Sequence, residues 1–483
     1  MGANVPSFTI PCDPLSYTSG RWLNQDDLQR NSRFIQFDFT ELCNTVIKLH
    51  PNAKKIINCD KKEGGFNRVF IFTFDSADRV VAKLPTKIAG PPRLSSNAEV
   101  ATIEYLRRKT SIPIPKILAW SDDPSNPVGS EYIIQEQVEG VQLHQVWPSM
   151  SSHQHMLCTK HVSLRIKEMA ALDFPAFGSI YFSDAAIDSS KTIPLNQEGL
   201  CVGPNCSPIF WNCSPRELDL YGGPSPDCGP CHSRIPQRHM VKQQLPYQGS
   251  VQEHINLLHT SQKVLEHLIK DSRIQNAASP TLIHPDLHKR NIYVNPNDPT
   301  IITGIIDWQS TNEVDELTDS AEKQKLNDAK ICHQTYDVIM KGLIPKMGPA
   351  KLLDPTLFRP FHYCHTTWRD SATALRQELM ELSARLSELG MEESCPYSPG
   401  EEEITKHAQY YEDFETVQRL KLWLKNSLNT DSDGWVPNEF WDAAKDAHKT
   451  AYHEWMETAR EAEAQGDELT VEKADRLWPF DSR

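Results

Sequence analysis

The sequence predicts an α+β chain of two lobes, a small β-rich one followed by a larger, mostly helical one. Three observations carry that expectation. The chain has 483 residues, more than one hydrophobic core usually serves. Strand-type patterning is concentrated in residues 55–137, whereas helical spacing dominates residues 138–483. A short polar signature, His284-Pro285-Asp286-Leu287-His288-Lys289-Arg290-Asn291, lies in the second part and is followed by Ile305-Ile306-Asp307-Trp308.

Taken in order, residues 1–54 read as an N-terminal extension, with Leu42, Val46 and Leu49 at the spacing of a helix that packs on the first lobe. Residues 69–74 and 79–84 alternate as strands about the turn at 75–78, a hairpin that carries Lys83 near its end. Residues 97–110 read as a helix with Val100, Ile103 and Leu106 inward and a capping box of Ser96 with Glu99. The run 131–138 is a further strand, stopped at Gly140, and 151–172 is helical. Residues 193–247, rich in Pro, Gly and Cys, read as a long loop region. A helix over 251–272 leads to a β-type run at 281–283, the signature, and a hairpin of 292–294 with 301–306 about Asn295-Pro296-Asn297-Asp298-Pro299. After residue 320 the chain reads as helix, broken at 391–400, with long charged helices at 401–426 and 437–463.

Composition narrows the function. Hydrophobic residues are 39% and charged residues 24%, as in a water-soluble globular protein, and no window offers the ~18 consecutive apolar residues of a membrane span. A net charge of −14 without a basic, aromatic-interleaved stripe argues against a nucleic-acid partner. Residues 1–19 contain no Arg or Lys, unlike a transit peptide or a secretory signal, and Pro6 stands where myristoylation wants Ser or Thr. A cytoplasmic setting is therefore expected, with the twelve cysteines as reduced thiols.

The signature supplies a loop carboxylate, Asp286, an amide five residues on, Asn291, and a second carboxylate, Asp307, which the hairpin brings back beside the amide. Phosphoryl transfer from metal-bound ATP to a hydroxyl needs this set: a proton acceptor, Asp286, and hard oxygen ligands for Mg²⁺, Asn291 and Asp307. Lys83, with Glu99 sixteen residues later on the next helix, is a candidate pair to hold an ammonium against the ATP phosphates. Taken alone, Lys83 reads first as an edge-strand lysine and Glu99 as half of the capping box, and it is the downstream signature that favours the pair. Gly64 and Gly65 open the hairpin, where the backbone N–H groups of Gly65 to Asn67 have room to approach phosphate oxygens. A rival metal site of His284, Asp286 and His288 leaves Asn291 and Asp307 unexplained. His284 is expected to brace the loop by hydrogen bonds. Cys201, Cys206, Cys213, Cys228, Cys231 and His232 read as free thiols or, by the Cys228–Cys231 spacing, as a structural zinc site.

On these segments the chain resembles the aminoglycoside phosphotransferase and choline-kinase-like superfamily, and within it the fungal branch that includes altered inheritance of mitochondria protein 9. The branch-type matches are Tyr17-Thr18-Ser19-Gly20-Arg21-Trp22, residues 63–70, 81–85, 112–120 and 177–182, Gly434-Trp435-Val436-Pro437 and Leu477-Trp478-Pro479-Phe480. The resemblance implies a bilobal protein-kinase-like fold, Asp286 as base, Asn291 and Asp307 at metal positions, and Lys83 with Glu99 at the phosphates. It also puts Glu136 to Val138 at the inter-lobe linker, where backbone groups would read adenine. The implied activity is a small-molecule kinase using ATP and Mg²⁺ on a hydroxyl-bearing acceptor, with a nucleotide-binding pseudokinase or scaffold as the alternative. A protein kinase is disfavoured, since Asp-Phe-Gly and Ala-Pro-Glu motifs are absent. Where the branch carries an apolar, Pro-containing stretch after Thr311, this chain passes directly to Asn312-Glu313-Val314. Mitochondrial members need a presequence, for which the residues before Tyr17 leave no room.

Overall fold

Alternation of Phe70, Phe72 and Phe74 with smaller or more polar residues makes residues 67–74 a strand with one aromatic face, and all three rings are fully buried. In the computed structural model, which describes residues 13–195, 199–208, 251–284, 286–309, 323–391, 395–428, 430–431 and 433–480, that strand is second in a five-stranded antiparallel sheet. The order is Ile56–Glu63, Asn67–Phe74, Arg79–Pro85, Tyr132–Glu136, Ile117–Ser121. The helix Phe39–Lys48, capped by the Asp38 carboxylate on the Glu41 N–H at 3.0 Å, packs Leu42, Cys43 and Val46 against the phenylalanine face. The expected hairpin is present, with Val69 opposite Lys83.

The chain divides into two compact units, one drawn from residues 1–15, 35–234 and 271–353, the other from 16–34, 235–270 and 354–483. The first unit contains the sheet just described and the helix Leu94–Lys109, which is buried along most of its length. The predicted capping box is not formed there. The helix starts at Leu94 with Arg93 as its cap residue, so Ser96 lies inside it and its hydroxyl donates to Glu131 at 2.7 Å, while Glu99 faces Lys83. Tertiary partners win over a local cap of about 1 kcal/mol. The region read as a long loop from residue 193 also begins differently. Ile193–Leu195 and Leu200–Gly203 are strands that, with Ser179–Phe182, form a three-stranded sheet packed on the Leu94–Lys109 helix. Cys201 and Cys206 are buried there, whereas Cys213, Cys228, Cys231 and His232 lie outside the described residues. So do residues 312–317.

The helical part of this unit includes Ser152–Ala170, started by a capping box of Ser151 and Gln154, and Lys323–Leu343. Ala170, Met340 and Ile344 pack together in its core. The signature hairpin is Ile292–Val294 with Ile302–Ile305, extended by Val141–Gln142. Residues 281–283 are not a strand; no neighbouring strand pairs with them among the described residues, and Ile283 is exposed.

The second unit holds the helices Val251–Leu268, Pro355–Arg385, Glu401–Leu428, Trp441–Gln465 and Val471–Leu477. Residues from its first and last sequence segments pair as strands, Gly20–Trp22 with Trp435–Pro437. Three motifs far apart in sequence meet here. Trp435 Nε1 donates to the Tyr17 hydroxyl at 2.9 Å, Trp22 Nε1 donates to Asp433 at 3.0 Å, and Val436, Trp478 and Phe480 share one core with Leu23. The Arg33 guanidinium lies 4.4 Å from the Trp22 ring centre, a cation–π contact. No helix among the described residues is long and apolar enough to cross a membrane.

Candidate active site

Every charged residue singled out from the sequence lies in the first unit. Lys83 sits in the third strand of the sheet and is 8% exposed. Its Nζ donates to Glu99 Oε1 at 2.8 Å and to Asp307 Oδ1 at 2.7 Å. One ammonium thus joins the sheet, the Leu94–Lys109 helix and the end of the signature hairpin. The three charges shift one another. Burial acts to lower the Lys83 pKa, but Asp307 and Glu99 outweigh it and hold the ammonium well above its ordinary range. Burial raises Glu99, helped by Asp307 and opposed by Lys83. Burial acts to raise Asp307 too, but the Lys83 charge and hydrogen bond overcome it and keep that carboxyl low. Asp307 is the most open of the three, with 36% of its side chain exposed. Its backbone is left-handed at φ 65°, a conformation that costs an L residue about 1–2 kcal/mol.

The signature loop is braced from within. Asn291 directs its Nδ2 to the Asp286 backbone oxygen and to Asp286 Oδ2, both at 2.9 Å. That leaves the side-chain oxygen, Asn291 Oδ1, as the acceptor end of its amide. Asp286 Oδ1 is 3.8 Å from His288 Nε2, and both side chains are partly open to solvent. The Ile306 N–H donates to the Asn291 backbone carbonyl at 3.0 Å, and Ile292 pairs with Ile305, so Asn291 and Asp307 lie at one end of the hairpin. His284 does the bracing expected of it. The Asp286 N–H donates to its Nδ1 at 3.1 Å, so the proton is assigned to Nε2, which donates to the Ile306 carbonyl at 3.0 Å. Burial pushes this imidazole down to about 4, so it is neutral near pH 7. Both ring nitrogens are engaged in hydrogen bonds of the loop itself, which speaks against the His284, Asp286, His288 alternative.

Gly64 donates its N–H to the Asn67 carbonyl at 2.9 Å. A Cβ at Gly65 would meet nothing within 4 Å. Among the described residues, therefore, no steric contact calls for glycine at 65. Asn67 is 9% exposed and its side-chain amide donates to Gln309 Oε1. At residues 136–138, the Glu136 N–H is taken by the Lys116 carbonyl at 3.0 Å, and the Val138 carbonyl accepts from the Gln137 side chain at 3.2 Å. Val138 also sits where a Cβ on Gly304 would fall, 2.3 Å from its Cγ1. Gln309 is the site residue that sequence reasoning passed over. It stands two places after Asp307, and its partners are hundreds of residues away, so only its proximity to the signature pointed to it.

A lysine clamped between a helix glutamate and a hairpin aspartate, beside an Asp–Asn loop, in a unit of α+β build, is the arrangement of the kinase-like phosphotransferase class. The chain belongs to the APH phosphotransferase enzyme family, which matches residues 62–313, just over half of its length. It is similar to a subtelomeric hrmA-associated cluster protein of Aspergillus fumigatus, 26% identical over 512 aligned positions that cover 86% of this chain and 95% of that protein. It is also similar to altered inheritance of mitochondria protein 9, mitochondrial, of Saccharomyces cerevisiae, 22% identical, with 88% and 86% covered. Among solved structures, an ADP-bound aminoglycoside phosphotransferase APH(2'')-Ib aligns with 71% of this chain and 97% of its own, at 14% identity and a TM-score of 0.39. A streptomycin–ATP–APH(2'')-IIa ternary complex aligns with 68% and 91%, at 14% identity and a TM-score of 0.36.

Proposed function

We propose that this protein is an ATP- and Mg²⁺-dependent phosphotransferase that carries the γ-phosphoryl group of ATP to a hydroxyl of a small molecule. The observation that supports this most is the single ammonium of Lys83 bonded to both Glu99 and Asp307, beside the Asp286–Asn291 loop. Glu99 holds Lys83 in place as a fixed positive charge for phosphate oxygens. The open space at Gly65 supports close approach of a nucleotide phosphate to the backbone there. The donor set fits Mg²⁺: a partly exposed carboxylate at Asp307 and the side-chain oxygen of Asn291, both hard ligands, in a site that needs few protein donors because phosphates and waters supply the rest. When bound, Mg²⁺ would offset the negative charge of the phosphates.

Asp286 is the proton acceptor in this reading. As the acceptor oxygen bonds to the γ-phosphorus and the bond to the ADP oxygen breaks, the hydroxyl proton passes to the Asp286 carboxylate. Asn291 fixes one oxygen of that carboxylate and neutral His284 fixes its backbone, so the base is oriented before the acceptor arrives.

The test is Asp286→Asn. The change is nearly isosteric, so the rise in melting temperature caused by MgATP should persist. ADP release in a screen of small-molecule alcohols should fall by about 10²–10⁴. Transfer that survives Asp286→Asn removes Asp286 as the base. Nucleotide binding without turnover on any acceptor makes the protein a nucleotide-binding scaffold instead.

A further inference from the structure

Gln309 is 5% exposed, and both ends of its amide are used. Its Oε1 accepts from Asn67 Nδ2, and its Nε2 donates to the Ala89 carbonyl at 2.8 Å. Asn67 opens the strand Asn67–Phe74, just after the Gly64–Gly65 turn. Ala89 lies between the Lys83 strand and the Glu99 helix, where its own N–H is held by the Thr86 carbonyl at 3.1 Å. Gln309 itself continues from Asp307. One buried amide therefore joins three segments: the glycine turn, the approach to the Glu99 helix, and the end of the hairpin that carries Asp307. Two of these segments lead to the carboxylates, Glu99 and Asp307, that meet the Lys83 ammonium.

A buried amide is costly unless donor and acceptor are both satisfied. An apolar residue would fill the same volume without fixing register, so the geometry calls for a group with one donor and one acceptor on opposite sides. We propose that Gln309 is a positioning residue, a latch that holds the Gly64–Asn67 turn and the 86–93 segment against Asp307 so that the site is set before ATP binds. This rests on the phosphotransferase reading for its kinetic consequence but not for its structural one.

The test compares Gln309→Met, which keeps length and removes both hydrogen-bonding ends, with Asn67→Ala and the double variant. Amide hydrogen exchange reads the latch whether or not the protein proves to be a kinase. Exchange in residues 64–67 and 86–93 should quicken by about tenfold or more in Gln309→Met, with the strands Tyr132–Glu136 and Ile117–Ser121 unchanged. For phosphoryl transfer, kcat should fall by about tenfold or more while KM for the acceptor stays within about threefold. The double variant should lose little beyond Gln309→Met alone, because the two side chains act as one unit. If Gln309→Met does not fold, Asn67→Ala, which opens the same bond from the other side, is read in its place. Unchanged exchange in a folded variant, or losses that simply add in the double variant, would overturn the latch. Absence of phosphoryl transfer in the wild type, with exchange responding as expected, would overturn only the kinase reading.

Discussion

Replacing Lys83 with Met removes the one cation between two carboxylates and keeps most of the side-chain volume. Glu99 is 5% exposed, so its charge is left buried, with Asp307 still nearby. Breaking a buried ion pair from one side typically costs about 3–5 kcal/mol. Asp307 is partly exposed and can hydrate, which favours the lower end, about 3 kcal/mol. At about 2 °C per kcal/mol for a unit of this size, the melting temperature should fall by about 6 °C. The loss has a signature in pH. Burial already raises Glu99 while Lys83 opposes the rise, so without Lys83 its folded pKa climbs further above the unfolded value of about 4.3. Between those two values the folded state binds more protons than the unfolded state, and stability falls as pH rises. Lys83→Met should therefore lie furthest below wild type at pH 8 and recover part of the gap at pH 5.5, measured as paired melting temperatures. Glu99→Gln, which removes the buried charge and leaves Lys83 with Asp307, should show a smaller deficit without that pH trend. A Lys83→Met deficit that is absent, or that grows toward acid, would refute the electrostatic account of the site.

Other substitutions separate binding from folding. Gly65→Ala meets empty space in the protein, so its melting temperature should stay within about 1 °C of wild type, the usual range for an open surface site, while KM for ATP rises several-fold; an unchanged KM would remove Gly65 from the phosphate site. Gly20→Ala is the converse, because its Cβ would fall 2.5 Å from both Trp435 Nε1 and the Val436 carbonyl. It should destabilise the second unit by about 1–3 kcal/mol, seen as an earlier unfolding step in tryptophan fluorescence. His254 and His407, 1% and 4% exposed, are each pushed down to about 4, by burial first and then by Arg376. The unfolded histidines titrate near 6.5, so the folded state holds fewer protons between about 4 and 6.5 and stability is lost as pH falls through that window, by about 2 kcal/mol each at pH 5. His407→Gln should flatten the fall in melting temperature between pH 7 and pH 5, and an unchanged slope would exclude His407 as a contributor.

The parts of the site legible in the sequence are those whose chemistry demands particular residues within a short span. Asp286, Asn291 and Asp307 belong to one loop and one hairpin, and the turn residues from Asn295 to Pro299 announced the hairpin. Lys83 and Glu99 could be matched because one strand and the next helix carry them. Contacts across long stretches of chain left no such trace. Nothing local marks the bond from Lys83 to Asp307, 224 residues away, or that from Asn67 to Gln309, 242 residues away. The strands Ile193–Leu195 and Leu200–Gly203 were hidden in a Pro- and Gly-rich region because their pairing with Ser179–Phe182 is what makes them strands. The terminal motifs Tyr17 to Trp22, Gly434 to Pro437 and Leu477 to Phe480 were visible as motifs, but their reason appears only when the chain is folded: the first two pair as strands and share a side-chain hydrogen bond, and Val436 packs with Trp478 and Phe480.

The helix Leu94–Lys109 shows how the two kinds of information combine. Its apolar stripe of Val100, Ile103 and Leu106 predicts a helix with one buried face, yet it is buried without a break from Leu94 to Ile103. Its polar residues are consequently each held by a different segment. The Ser95 hydroxyl donates to the Pro91 carbonyl at 3.2 Å and the Ser96 hydroxyl to Glu131 at 2.7 Å. Asn97 donates to Asp122 at 3.1 Å and accepts from the Phe182 N–H at 3.0 Å, and Glu99 accepts from Lys83 at 2.8 Å. Turning the helix by one residue, about 100°, would break all of these together and leave several buried groups unpaired at about 1–3 kcal/mol each. The contact between Lys83 and Glu99 is thus held by the packing of the whole helix, and much less by the attraction of the two charges, whose desolvation offsets most of what their pairing contributes.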